Sequence, residues 1–372
     1  MPAEDQKKLY YPELDGLRFF AFLLVFINHA PYLAPGPIFK ALHDYGWIGV
    51  DLFLCLSAFL ITRLLMEEYT NTGTINIRFF YFRRMLKIWP LYFLFIIFLI
   101  AYYSSTQDWS STTQLRIIGL ALFSDNILSA TLGYNHLFSA VHLWTISYEE
   151  QFYVLIPWAI RKLVTVKNKS RSFFILFVFI ILSSIRILFI YQNIPHPSIW
   201  VLPITHFEAI FGGTALGLGV FDEILKKLGS KTSLAFGILS TGLATILPNT
   251  HVTSWNLMLT YPLVGLGITF IIYSVLQNTK SKINIFLRNK EIVSLGKISY
   301  GLYVYHILCL TIANQVCLRL GISSQSTPLY PITMFVIGMA FVILFSRISY
   351  HLYEKPFLIL KDRFTHIKSR PI

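Results

Sequence analysis

The chain has 372 residues, of which 55% are hydrophobic, 16% aromatic and only 13% charged, with a net charge of +13. A mean hydropathy of +0.60 and a charged fraction about half that of a soluble globule describe an all-α polytopic membrane protein. Basic loops on one side of a membrane produce the same positive excess as a nucleic-acid-binding surface, so no nucleic-acid partner is inferred. Cys55, Cys309 and Cys317 lie in apolar runs without CxxC or metal spacing, so neither a disulfide framework nor a metal is expected.

Apolar windows of about 17 to 25 residues fall near 17–34, 47–66, 88–104, 140–160, 172–191, 200–221, 232–248, 256–276, 297–318 and 329–350, which predicts ten transmembrane helices. Polar residues or glycines interrupt the fourth, sixth and seventh. Segment 115–124 is too short to cross and is read as interfacial or re-entrant. With both termini cytoplasmic, every internal segment holds at least two Lys or Arg, whereas the external segments hold only Lys40, Arg116 and Arg319. Arg18, Arg186 and Arg347 sit within spans. No repeat, low-complexity tract or long linker divides residues 1–372, so a single membrane domain without an appended soluble domain is expected. The first apolar run is read as a span rather than a removable signal peptide, because it is long, holds Arg18 and His29, and lacks a small-x-small site before Pro31.

That first span carries ionisable groups at membrane depth, which are functional-site hypotheses by default. Eleven steps of about 100° bring His29 back to the azimuth of Arg18, roughly 16 Å along the helix, and Asp15 lies one turn before Arg18. The alternative is that Arg18 snorkels to the surface beside Asp15 and His29 is a packing residue. In the second span Asp51 is either a helix-terminal anion or part of a cavity. Before the third, Arg83, Arg84 and Lys87 form a basic cluster suited to phosphate, or else a set of ordinary positive-inside anchors.

The fourth span holds Trp144-Thr145-Ile146-Ser147-Tyr148-Glu149-Glu150-Gln151. Glu149 and Glu150 point about 100° apart, so each needs its own partner, one an arginine and the other a histidine. Trp144, Ser147, Tyr148 and Gln151 make a polar and aromatic face suited to a substrate cavity. His306 enters in the ninth span, either packed or functional, and Glu354 follows the tenth. No Walker, GxGxxG, HExxH or GxSxG motif is present.

Taken together and in order, these pieces resemble the membrane acyltransferase-3 family, whose bacterial members O-acylate surface polysaccharides such as O-antigen. The matching stretches are Leu14-Asp15-Gly16-Leu17-Arg18 with its gap to His29, residues 53–61, Arg83-Arg84 with Trp89-Pro90, Trp144 to Tyr153, Gly296 to His306, and Glu354-Lys355-Pro356. Two departures are Ser57-Ala58, where relatives usually have Ser-Gly, and Lys87, often arginine. The resemblance implies an inner-membrane enzyme taking a cytoplasmic acyl donor, usually acetyl-CoA, and a sugar hydroxyl on a lipid-linked or growing glycan. His29 then suits the general base, Glu149 and Glu150 the setting of its tautomer, and Arg83, Arg84 and Lys87 the coenzyme A phosphates. Some relatives add an esterase-like domain after the last span, and this chain is expected to lack it. A transporter or flippase of lipid-linked glycan, with no covalent product, is the competing expectation.

Overall fold

The computed structural model describes residues 9–106, 108–247, 250–323, 329–365 and 367, and no strand occurs among them. Helix α1 (Pro12–His29) starts on a proline and places Glu13 and Asp15 in its first turn, where the helix dipole favours carboxylates. A short exposed helix, α2 (Pro37–Asp44), leads to α3 (Ile48–Thr72), which closes on Gly73 in the left-handed conformation at φ 71°. α4 (Ile77–Thr106) continues through Pro90 as one helix of 30 residues. Then come α5 (Ser111–Ala121), α6 (Asp125–Leu132), α7 (Trp144–Leu163), α8 (Asn168–Tyr191), α9 (Ser198–Val201), α10 (Glu208–Gly217) and α11 (Asp222–Ala244). The chain finishes with α12 (Leu257–Gln277), α13 (Lys282–Leu287), α14 (Lys290–Lys297), α15 (Ser299–Arg319), α16 (Tyr330–Ser349), a π-helical turn at Tyr350–Glu354, α17 (Lys355–Lys361) and a 3-10 turn at Asp362–Phe364.

Among the described residues, six segments are long and apolar enough to cross a membrane: α3, α4, α8, α12, α15 and the run Tyr330–Phe364. The protein is therefore multi-pass. The remaining four expected spans fall on helices that depart from a plain apolar rod. α1 carries Glu13, Asp15 and Arg18, and α7 carries Glu149, Glu150, Arg161 and Lys162. α11 breaks at Gly229 (φ 73°). The interval 200–221, expected as one span, is two helices, α9 and α10, with an open stretch between them. The chain leaves the helix at Leu202 (φ −95°, ψ 130°), the residue before Pro203, and other helices satisfy the opened carbonyls: Thr205 O accepts from Arg186 Nη1 at 3.1 Å, and His206 O accepts from Tyr148 OH. Irregular backbone at membrane depth is tolerated where neighbouring protein satisfies it. Segment 115–124 falls on α5, whose 11 residues are too few to cross.

α3 is the hub, packing against α1, α7, α10 and α12. Its approach to α1 requires glycine, since a Cβ on Gly49 would collide with the Ala21 carbonyl. Gly296 in α14 meets the Asp15 carbonyl in the same way and holds the start of α1 against the later helices. α8 lies at the other extreme. Phe173, Leu176 and Leu188 are exposed, and only Arg186 and Ile190 are buried on this helix. Arg186 Nη2 meets Glu208 Oε1 at 2.5 Å, so α8 is tied to the body by a buried ion pair.

Candidate active site

Two cavities adjoin opposite parts of α1. The larger, of about 180 Å³, takes Asp15 and Arg18 from the first half of that helix, and adds Arg84 and Lys87 from α4, Glu149 from α7, Lys297 from α14, Glu354 and Lys361. Five cations against three carboxylates make it a basic chamber. The Arg84 guanidinium lies 5.9 Å from the Phe80 ring and 6.0 Å from that of Tyr153, a pair of faces that fixes its aim. Arg83, expected beside it, does not line the chamber. Its Nη2 meets Glu68 Oε2 at 2.9 Å and its Nη1 donates to Phe364 O at 2.8 Å, so it ties α4 to α3 and to the C-terminal segment. Neighbouring helix positions diverge by about 100°, and the cluster is split accordingly.

The smaller cavity, of about 90 Å³, takes His29 and Asn28 from the end of α1 and is walled by Trp47, Trp144 and Trp200. His142 and Tyr134 also line it, with His196 and His251 at another part of the wall. Burial, helped by nearby His251, lowers the His196 pKa to about 4. At neutral pH this ring is uncharged, and its Nε2 accepts from Tyr134 OH at 2.9 Å.

The histidines form a cluster that primary structure alone does not display. The His29 and His306 ring centroids are 5.0 Å apart, and those of His142 and His306 4.5 Å. His29 Nδ1 lies 2.9 Å from Val25 O, and a carbonyl only accepts, so the proton sits on Nδ1 and Nε2 is the basic nitrogen. The expected tautomer-setting groups, Glu149 and Glu150, are engaged elsewhere: Glu149 lines the basic chamber and Glu150 Oε2 accepts from Trp89 Nε1 at 3.3 Å. The backbone does this work because His29 lies one turn beyond Val25 on the same helix. His306 donates from Nδ1 to Tyr303 O at 2.5 Å and is fully buried, whereas His142 Nε2 donates to Val304 O at 3.2 Å. Among the described residues, no group of His, Cys, Asp or Glu is suited to hold a metal.

The remaining candidates divide. Trp144 lines the smaller cavity, but Ser147, Tyr148 and Gln151 do not. Gln151 Nε2 donates to Phe123 O at 3.0 Å and Asn126 Oδ1 at 2.8 Å, which makes it a helix tie. Asp51 lies behind the cavity, with its Oδ1 3.0 Å from His206 Nε2; the His206 ring stacks on Trp200 at 4.4 Å. The two cavities share three lining residues, Val50, Thr145 and Tyr303. Thr145 Oγ1 and Tyr303 OH are 2.7 Å apart and both reach the His142 carbonyl, at 3.0 and 3.1 Å. His142, Tyr303, Lys297 and Lys361 were not among the expected site residues. The only sequence signal available for them is polar chemistry next to an apolar run.

Comparison with known proteins adds an independent line. A family model described as an acyltransferase domain matches residues 11–347. A Staphylococcus aureus (strain COL) protein named "Putative O-acetyltransferase" is 28% identical over 375 residues, which cover 95% of this chain and 58% of that protein. The "O-acetyltransferase OatA" of Staphylococcus aureus (strain NCTC 8325) is 26% identical over 380 residues, 96% of this chain and 60% of that protein. The chain thus spans less than two thirds of the length of these relatives. No solved structure matches.

Proposed function

The chain belongs to the acyltransferase-domain family, and from that premise we propose that it is a membrane O-acetyltransferase acting on a hydroxyl of a lipid-linked or cell-surface glycan. The observation that carries the reading is the meeting of a basic chamber and a histidine- and tryptophan-lined chamber on a common wall. Acetyl-CoA is the donor. Its phosphates suit Arg84 and Lys87, joined by Arg18, Lys297 and Lys361, because guanidinium forks and ammonium groups bind phosphate oxygens by charge-assisted hydrogen bonds. The smaller chamber receives the sugar, with flat indole faces and polar side chains to orient it. His29 Nε2 takes the proton of the acceptor hydroxyl as its oxygen attacks the thioester carbon. The carbon–sulfur bond breaks, an ester carbon–oxygen bond remains, and the proton passes to the departing coenzyme A thiolate. Ten spans with both termini cytoplasmic in a bacterial inner membrane bring the basic chamber to the cytoplasmic side, where coenzyme A thioesters are made.

Mass spectrometry of surface glycans from cells with the wild-type protein, without it, and with His29→Gln tests this reading. Acetyl ester should appear with the wild type and fall by about 10² to 10⁴-fold in His29→Gln, the range for loss of a general base. Ester retained in His29→Gln would move the role to His142. Failed glycan export without any ester in the wild-type product would replace the enzyme with a transporter.

A further inference from the structure

We propose that the wall shared by the two chambers is an acyl-size filter, with Val50 as the residue that sets the limit, and that it restricts the donor to acetyl thioesters. The inference rests on the acetyltransferase reading and goes beyond it by assigning the residue that sets the acyl size. The carbonyl carbon must be reachable from both chambers at once, and among the described residues only Val50, Thr145 and Tyr303 border both. The alkyl tail on that carbon therefore has to fit at this wall.

Two of the three residues are held. Thr145 Oγ1 and Tyr303 OH lie 2.7 Å apart and both are within donating distance of the His142 carbonyl, which anchors the two side chains together. Val50 is the apolar member, whose size can change without breaking a hydrogen bond. Its backbone cannot retreat, because the adjoining Gly49 is seated against the Ala21 carbonyl with no room for a Cβ. Behind the wall a longer tail would meet Trp47 and Trp144, which pack edge-on against Trp200 at 5.1 and 5.7 Å. Buried aromatic rings in mutual contact do not yield as a methionine or leucine would. The transfer step is unchanged by the filter: carbon–sulfur cleavage and carbon–oxygen formation proceed as before, and only the tail is sorted.

Membranes from cells making the full chain retain their own glycans and are supplied with equimolar acetyl-, propionyl- and butyryl-CoA. The esters on the extracted glycan are then quantified by mass spectrometry. Competition within one tube gives a ratio that does not depend on how much enzyme is folded. One methylene in a tight pocket discriminates about 10- to 200-fold, so the wild type should favour acetyl over propionyl by at least about tenfold. Val50→Ala should raise the propionyl-to-acetyl ratio about tenfold or more, and Val50→Leu should lower it. A wild type that transfers butyryl as readily as acetyl, or ratios that stay put in both variants, would overturn the filter while leaving the acyltransferase reading intact. No ester of any length from the wild type would overturn that reading itself.

Discussion

Arg83 and Arg84 are chain neighbours with different duties. Arg84 faces the basic chamber between two aromatic rings, whereas Arg83 is consumed by Glu68 and the Phe364 carbonyl. Charge-assisted hydrogen bonds contribute about 1.5 to 3 kcal/mol each, so Arg84→Ala should raise the apparent KM for acetyl-CoA about tenfold or more. Arg83→Ala should leave that KM within about twofold and instead lower thermal stability in detergent, because Glu68 loses its buried partner. Steady-state kinetics alongside thermal melts separates the two, and equal KM effects would refute the division. At this scale, sequence reading located the basic cluster and singled out His29, which the structure places in the wall of the smaller cavity, since charges inside apolar runs stand out. It could not say which arginine turns inward. That choice depends on Glu68 and Phe364, which no local pattern links to α4. Nor could it see that Val25, rather than Glu149 or Glu150, fixes the His29 tautomer, because a backbone carbonyl has no signature in the sequence.

Helices α8, α9 and α10 show how one ion pair organises larger pieces. Arg186 and Glu208 meet at 2.5 Å with both side chains buried. Thr205 O adds a further acceptor for Arg186, so the open stretch between α9 and α10 and the lipid-facing α8 are held at one point. Removing one member of a buried pair leaves an uncompensated charge, at a cost of roughly 3 to 5 kcal/mol. Glu208→Ala should therefore sharply lower the melting temperature, and the double variant Arg186→Leu with Glu208→Leu should recover part of the loss. A double variant as unstable as the sum of the singles would mean that the two side chains do not act as a pair. An arginine inside the fifth expected span was legible, as was the interruption of the sixth. The break falls at Leu202, before Pro203, a signal that apolar windows do not weigh, and they cannot reveal carbonyls whose donors come from another helix.

At the scale of the whole molecule the strongest sequence signal was the distribution of lysine and arginine, and it supports a definite test of orientation. Cysteines introduced at Lys167 and Lys282 should resist a membrane-impermeant maleimide in intact cells, and one at Lys40 should react. All three positions are exposed on the protein, and the native cysteines are buried and silent. Labelling at Lys167 or Lys282 would overturn the assigned topology. The architecture that sequence could not supply is the convergence of two chambers on Val50, Thr145 and Tyr303. If those chambers open to opposite faces, the wall is also the electrical insulation of the membrane at this point. Each elementary charge leaking across a potential of 100 mV dissipates about 2.3 kcal/mol. A proton wire here would discharge the cell continuously, whether or not any acetyl group moved. Thr145 and Tyr303 carry hydroxyls able to relay a proton, but both are committed to the His142 carbonyl, and Val50 adds an aliphatic side chain that disfavours a water file. On the acyltransferase reading, this wall would let a reacting carbonyl be reached from both chambers while acting as an open circuit-breaker to ions.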